Sequence, residues 1–435
     1  MGYETQTSPV ALSARPRIRA LQASVRSVAI VLILLMLMGA AMVYSTTVYS
    51  NIAAGEAPYG DFIRHMMMMG IGVVLSLVGI SAFVAFSPIR RWARFVIPVF
   101  FLVSLSLVAL VSLTDLGVSA NGATRSIEVM GITFQSSELL KLFLILYLAQ
   151  LLCWWRRQPE EILKAKEQGR VLSSRRPNWP HAPLLAFLAI GAAAGFTVIQ
   201  PDLGSTAIIV AASVITLFIA GISRMQKIAI LATLVVLGLS VFYVAPYFVP
   251  YVSQRLETFR NPMENENAAS FQITQSMGAI IDGGTAGRGY LRSEQKLNRL
   301  PFARTDFVFP IIIEELGLLG GIFVMGLFVA LAWFSSELAG RCREPFHRTV
   351  AAAIGFTICL QAMVNIAVTT NVVPNSGLTL PFFSVGGTSL IVSMVSVSLI
   401  IAIGLAEVRS LSRESMLVAS GERRQQLRRE RSGTV

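Results

Sequence analysis

The sequence predicts an all-α, polytopic membrane protein of about ten transmembrane helices. Three observations carry this expectation. The 435-residue chain is 54% hydrophobic and only 14% charged. Its mean hydropathy of +0.65 lies far above that of a soluble domain. Its apolar residues also gather in runs of the length that crosses a hydrocarbon core about 30 Å thick, roughly 20 residues each.

In chain order the runs fall at about 28–45, 66–86, 95–113, 138–155, 182–200, 204–222, 227–248, 307–334, 349–373 and 387–405. The first follows Arg15, Arg17, Arg19 and Arg26 with no cleavage-site pattern, so it reads as a retained signal-anchor. Runs two and three flank Arg90, Arg91 and Arg94. Runs four and five flank 156–180, with Arg156, Arg157, Lys164, Lys166, Arg170, Arg175 and Arg176. Later turns carry Arg224, Lys227, Arg341, Arg343 and Arg348, and the tail adds Arg409 to Arg431. With an even number of spans and the N-terminus inside, about 26 of the 36 Lys and Arg fall on the cytoplasmic side, as the positive-inside rule requires. The net charge of +12 is therefore spent on topology, and no nucleic-acid partner is expected. The expected organisation is a basic cytoplasmic N-terminal tail (1–27), a ten-helix membrane domain (28–405) and a basic cytoplasmic C-terminal tail (406–435), disordered or bound to lipid headgroups.

Cys153, Cys342 and Cys359 fall at a cytoplasmic helix end, in a cytoplasmic loop and within a span, which offers no exported pair to oxidise. The longest exterior segment, 249–306 between spans seven and eight, breaks the apolar pattern. Within it, Phe271 to Ile280 carries a helical apolar stripe, and glycines 283, 284, 287 and 289 form turns. A second exterior segment, 114–137, holds Asn121-Gly122 between short β-prone stretches, which predicts a small hairpin.

Five clusters carry chemistry. In RTDFVFPIIIEELGLLGG, Asp306 enters a span and Glu314 and Glu315 follow about two turns deeper. On a helical wheel Glu314 lies about 80° from Asp306 and Glu315 about 180°. Only Glu314 can share a cavity with Asp306, Pro310 loosens the turn between them, and Glu315 reads as structural. An N-terminal helix charge at the interface explains Asp306 equally well. In SSELLKL, Glu138 and Lys141 can pair across one helix face, an ordinary interfacial ion pair being the simpler account. In QPDLGSTAII, Asp202 reads as a helix cap before it reads as a catalyst. In NSGLTLPFFSVGGTSL, Ser384, Gly386 and Gly387 open the last span, where free backbone N–H groups suit a phosphate; close helix packing explains the glycines as well. Finally, the exterior cations Arg125, Arg255, Arg260, Arg288, Arg292, Lys296, Arg299 and Arg304 oppose the topological bias and suit an anionic ligand. No P-loop, zinc-ligand spacing or Ser/His/Asp set accompanies them, and His65, His181 and His347 are scattered.

From about Ser27 to Leu405 the chain resembles the SEDS family of bacterial cell-wall proteins, those of shape, elongation, division and sporulation. The resemblance is carried by NGATRSIEVMGITFQSSELLKL, QPDLGSTAII, QRLETFRNP, FQITQSMGAI, QKLNRLPFARTDFVFPIIIEELG, QAMVN and GLTLPFFSVGGTSL. The GLTLP form at Gly377 to Pro381 is closer to the FtsW and SpoVE branches than to RodA, which tends to place Pro at the Thr379 position. The resemblance implies a ten-span peptidoglycan glycosyltransferase of the cytoplasmic membrane that polymerises lipid II on the outer face, in septal synthesis during division or, as the alternative, in elongation or sporulation. The implied partners are a class B penicillin-binding protein and other divisome proteins. The family's essential aspartate falls on Asp306, as general base for a sugar 4-hydroxyl or as holder of a divalent cation such as Mg²⁺ or Mn²⁺; no cofactor is otherwise implied. Substrate contacts are implied at Arg125, Glu138, Lys141, Arg255, Gln275, Lys296, Glu314, Ser384, Gly386 and Gly387. The chain departs from the family's pattern at Ser126, Ser136, Arg304 and Val385, where Trp, Pro, His and Tyr are common. A flippase or transporter of the lipid-linked sugar, and a non-catalytic divisome scaffold, are the rival readings.

Overall fold

The computed structural model describes residues 9–432 apart from 54, 87–89, 115–117, 121–122, 130–131, 168–181, 249, 263–267, 298–299 and 386. Thirteen helices and one small sheet are found among them: α1 Pro9–Ala53, α2 Gly60–Phe86, α3 Arg90–Leu113, β1 Val118–Ala120, β2 Ala123–Val129, β3 Ile132–Gln135, α4 Ser136–Glu167, α5 Ala182–Ile199, α6 Leu203–Ala220, α7 Arg224–Tyr243, α8 Ala245–Phe248, α9 Pro250–Arg260, α10 Ala268–Gly283, α11 Val308–Arg341, α12 Pro345–Thr369 and α13 Gly387–Ser432. Nine of the helices among the described residues are long and apolar enough to cross a membrane. The seventh run expected from sequence corresponds to α7, whose 20 residues rise about 30 Å, followed by the short α8. This is a multi-pass membrane protein, and the helical bundle expected from the hydropathy pattern is what forms.

Where the structure departs from expectation, the causes are local. Helix α1 begins at Pro9 and α13 continues to Ser432, so the basic tails extend the first and last membrane helices instead of fraying into coil. The C-terminal tail is rich in Arg, Gln and Glu, good helix formers that need no apolar solvent to stay helical. Where a hairpin is expected there is a three-stranded antiparallel sheet, with Ala120 opposite Ala123 and Ser126 opposite Gln135; Asn121 and Gly122 lie outside the described residues.

The largest core cluster joins α1, α11, α12 and α13, and a second joins α3, α4, α5 and α6. Lipid-facing residues such as Leu37, Val99, Leu188, Val235 and Trp333 are exposed, as hydrocarbon solvent permits. Between α7 and α11 the long segment folds over one end of the bundle. There α10 packs against α11, and Ser276 Oγ donates to the Thr369 carbonyl at 2.6 Å.

Candidate functional site: a clamped carboxylate at one end of the bundle

Asp306 does not lie within a helix. It sits in the turn 301–307 that leads into α11, which starts at Val308. Helical-wheel angles therefore do not relate it to Glu314. Apolar burial fixes the turn on its far side: Phe307 and Val308 are fully buried in the main core, while Asp306 stays partly exposed.

Polar contacts fix the near side. Three successive carbonyls are each held by a different group. Arg304 O accepts from Val385 N at 2.8 Å, Thr305 O from Ser384 Oγ at 2.6 Å, and Asp306 O from Asn365 Nδ2 at 2.8 Å. Each such bond contributes about 1 kcal/mol net, and together they tie the backbone under Asp306 to α12 and to residues 384 and 385. Ser384 can do this because its hydroxyl also accepts from Leu380 N at 2.8 Å, closing the turn that follows Pro381.

Helix α12 connects this turn to α4. Gln361 and Asn365 lie one helical turn apart and share a face. Asn365 Nδ2 also donates to Leu378 O at 2.6 Å, and Gln361 Oε1 accepts from Lys141 Nζ at 2.7 Å. Lys141 pairs with Glu138 at 2.8 Å, their side chains 6% and 5% exposed. The pair expected at an interface is thus inside the bundle, where an ion pair persists only when further bonds complete its coordination.

Glu314 and Glu315 face two different sets of partners. Glu314 is fully buried and accepts from Ser293 Oγ at 2.5 Å and from Glu294 N at 2.8 Å, with Arg288 Nη1 3.9 Å away. Glu315 accepts from Lys296 Nζ at 2.6 Å and from Ser45 Oγ at 2.6 Å. Lys296 also donates to Ser45 at 3.0 Å and lies 5.1 Å over the Tyr49 ring. Both glutamates fasten the segment 284–297 onto α11 and α1. Tyr290 in that segment donates to the Ala41 carbonyl at 2.7 Å, and its phenol is pushed up to about 12 by burial, then by the nearby Glu315 and Tyr44.

A break in α11 makes room for this docking. The distortion expected at Pro310 is absent because Pro310 falls in the first turn, where a missing N–H leaves no bond unmade. The break comes at Gly317, at φ 74° and ψ −179°. The freed groups are taken up by the docked segment: Leu318 N donates to Gly284 O at 2.9 Å, while Arg288 N donates to Glu314 O at 2.9 Å and Gly289 N to Glu315 O at 3.0 Å. A Cβ on Gly317 would lie 2.3 Å from Thr285 O, so only glycine permits the approach.

The other expected residues lie around this end. Arg255 on α9 donates to the Asn375 carbonyl. Gln275 is half-buried on α10, beside Ser276. Gly387 opens α13, and Thr388 Oγ1 accepts from Gln135 N at the end of β3 at 3.0 Å. Asp202 caps α6, its Oδ1 accepting from Ser205 N at 3.1 Å. Arg125 lies on β2 with its side chain outside the described residues, and Gly386 lies outside them altogether. The sequence reading gave no role to Asn365, Gln361, Ser45, Ser293, Asn51 or Asp61. A signal existed for the first two: amides four residues apart on an apolar helix share a face and need partners.

A multi-pass helical bundle that holds one partly exposed carboxylate in a clamped turn, backed by a buried ion pair, is the class of protein these features define. The chain belongs to the cell cycle protein family of FtsW, RodA and SpoVE, whose model matches residues 25–408. It is 34% identical over 373 residues to a protein of Coxiella burnetii named as a probable peptidoglycan glycosyltransferase FtsW, covering 85% of this chain and 93% of that one. It is 32% identical to stage V sporulation protein E of Bacillus subtilis, covering 86% and 94%. Among solved structures it resembles RodA of Thermus thermophilus, with a TM-score of 0.55 and 23% identity over 86% of this chain and 96% of that one. It also resembles a chain of a peptidoglycan synthase complex that coordinates polymerization and crosslinking, with a TM-score of 0.60 and 23% identity over 84% and 96%.

Proposed function

We propose that the chain is a peptidoglycan glycosyltransferase that polymerises lipid II at the outer face of the cytoplasmic membrane, with both termini cytoplasmic and its activity directed to the division septum. Family membership and relatives named as glycosyltransferases support the reaction class. The observation that carries the assignment to Asp306 is the clamp of three consecutive carbonyls at 304–306. Catalysis by a positioned base requires its donor and acceptor held to within a fraction of an ångström, and the clamp supplies part of that constraint.

In the proposed step, the 4-hydroxyl of one sugar attacks the anomeric carbon of another. The new C–O bond forms as the bond to diphosphate breaks, the hydroxyl proton passes to Asp306, and polyprenyl diphosphate leaves. A free carboxyl has a pKa of about 3.9, so proximity and loss of water must make up for its weak basicity. Arg125 and Arg255 are assigned to the diphosphate charge. Lys296 could reach it only by leaving Glu315. Among the described residues no three His, Cys, Asp or Glu side chains cluster as metal ligands. A divalent cation would accordingly take most of its ligands from diphosphate oxygens and water, with Asp306 contributing a carboxylate. A class B penicillin-binding protein is the proposed crosslinking partner.

The transporter reading draws on the broken helix, because such breaks line substrate sites in many carriers. Here the freed backbone groups are already bonded to 284–289, which argues against it. Purified protein supplied with labelled lipid II is expected to form glycan strands, and Asp306→Ala to abolish them. Undiminished strand formation by Asp306→Ala would remove Asp306 from the mechanism. Headgroup translocation without strands would favour transport.

A further inference from the structure

Arg304, two residues before Asp306, has a side chain that the clamp described above does not use. Its Nη1 donates to Asp61 Oδ2 at 2.7 Å and to Asn51 Oδ1 at 2.8 Å. Asp61 lies in the first turn of α2, and Asn51 lies near the end of α1. The two acceptors belong to one preorganised unit. Asn51 is buried, its Nδ2 donates to Ala57 O at 3.3 Å and its carbonyl accepts from Glu56 N at 2.8 Å, knitting together the α1–α2 connection. The ion pair is about one-third exposed, with side chains 35% and 30% accessible, so it is less screened than a surface pair and avoids the full desolvation of a buried one.

We infer that Arg304 is a positioning residue that couples Asp306 to the α1–α2 connection, and this inference rests on the proposed glycosyl transfer. The backbone clamp holds 304–306 from the side of α12 and the 378–385 segment. The guanidinium ties residue 304 to a different pair of elements, α1 and α2. Without it, the turn keeps its carbonyl bonds and can still pivot about them. A displacement of about 1 Å at a reacting group costs on the order of a hundredfold in rate while leaving substrate affinity nearly intact. Asp61 thereby serves to anchor the arginine. Neither Asp61 nor Asn51 needs to touch substrate for this to work.

The test uses the full-length protein in lipid nanodiscs, with three variants: Arg304→Met, Asp61→Asn and the exchanged pair Arg304→Asp with Asp61→Arg. Two readouts are taken: steady-state kinetics with lipid II, and amide hydrogen exchange of a peptide covering 302–307. Arg304→Met is expected to lower kcat about 10- to 100-fold with KM changed less than about 2-fold, and Asp61→Asn to lower kcat about 5-fold or more. Exchange at 302–307 should quicken in both, and the exchanged pair should recover much of each loss. Glu414→Gln, which removes an exposed partner of Arg343 at the far end of the bundle, serves as the control that changes neither readout. Unaltered exchange in Arg304→Met, or an exchanged pair no better than the worse single variant, overturns the inference. The exchange arm decides even if wild-type protein makes no glycan, in which case it is the glycosyltransferase reading that has failed.

Discussion

Removing the ammonium of Lys296 tests how segment 284–297 is held onto α11 and α1. Lys296 and Glu315 are 1% and 0% exposed and 2.6 Å apart. Substitution Lys296→Met keeps the length and apolar volume of the side chain but leaves the Glu315 carboxylate with only the Ser45 hydroxyl as partner. An uncompensated buried charge costs about 3–5 kcal/mol. Removing both charges, as Lys296→Met with Glu315→Met, leaves one buried hydroxyl to satisfy, a penalty of about 1–3 kcal/mol. Ser45 can lessen even that by turning to the carbonyl one helical turn back, as neighbouring Thr46 and Thr47 already do toward Met42 and Val43 at 2.9 and 2.7 Å. The double variant should therefore be more stable than Lys296→Met by about 2 kcal/mol, an order opposite to what additive losses give. The assay is reversible unfolding in mixed micelles by added sodium dodecyl sulfate, with tryptophan fluorescence as the probe. A Lys296→Met loss below about 1 kcal/mol, or a double variant weaker than either single one, would refute the buried-pair argument.

Three further outcomes are expected. Gly317→Ala should destabilise the protein by more than about 2 kcal/mol and open 284–297 to added protease, since the new Cβ collides with the docked backbone. Gly326→Ala, where a Cβ meets nothing within 4 Å, should be neutral or slightly stabilising, and equal effects from the two would sink the argument. His65 on α2 is buried with neither ring nitrogen partnered, so His65→Leu should raise stability by about 1–2 kcal/mol in the same unfolding assay. A fall in stability or a loss of polymerisation would give the imidazole a role this account lacks. The Cys342 thiol is pushed up to about 12 by burial and then by Glu407, against the smaller opposing effect of Arg348. At pH 8 its thiolate fraction is on the order of a hundredfold or more below that of a free cysteine, so maleimide labelling of Cys342 should be slow until the protein unfolds. Labelling at the free-thiol rate in the folded protein would contradict this.

What the sequence determined by itself was the bundle. Apolar run length and charge distribution are local properties, and hydrocarbon forces the backbone of each run to satisfy its own hydrogen bonds as a helix. The spans, the hairpin signal at Asn121-Gly122, the cap at Asp202 and the helical stripe at 271–280 were legible for that reason. The resemblance also singled out Asp306, but nothing along the chain said how it is held. The carbonyls at 304–306 are gripped by residues 59 to 81 positions away, Glu315 meets Ser45 across 270 positions, and Arg304 meets Asp61 across 243. Helical periodicity could not supply these contacts, and it misplaced the distortion of α11 at Pro310 because the strain sits at Gly317, where another segment's backbone enters. Which of two adjacent glutamates takes Ser293 and which takes Lys296 depends on how segment 284–297 folds back onto α11 and on α1 bringing Ser45 to the same place, and only packing decides that.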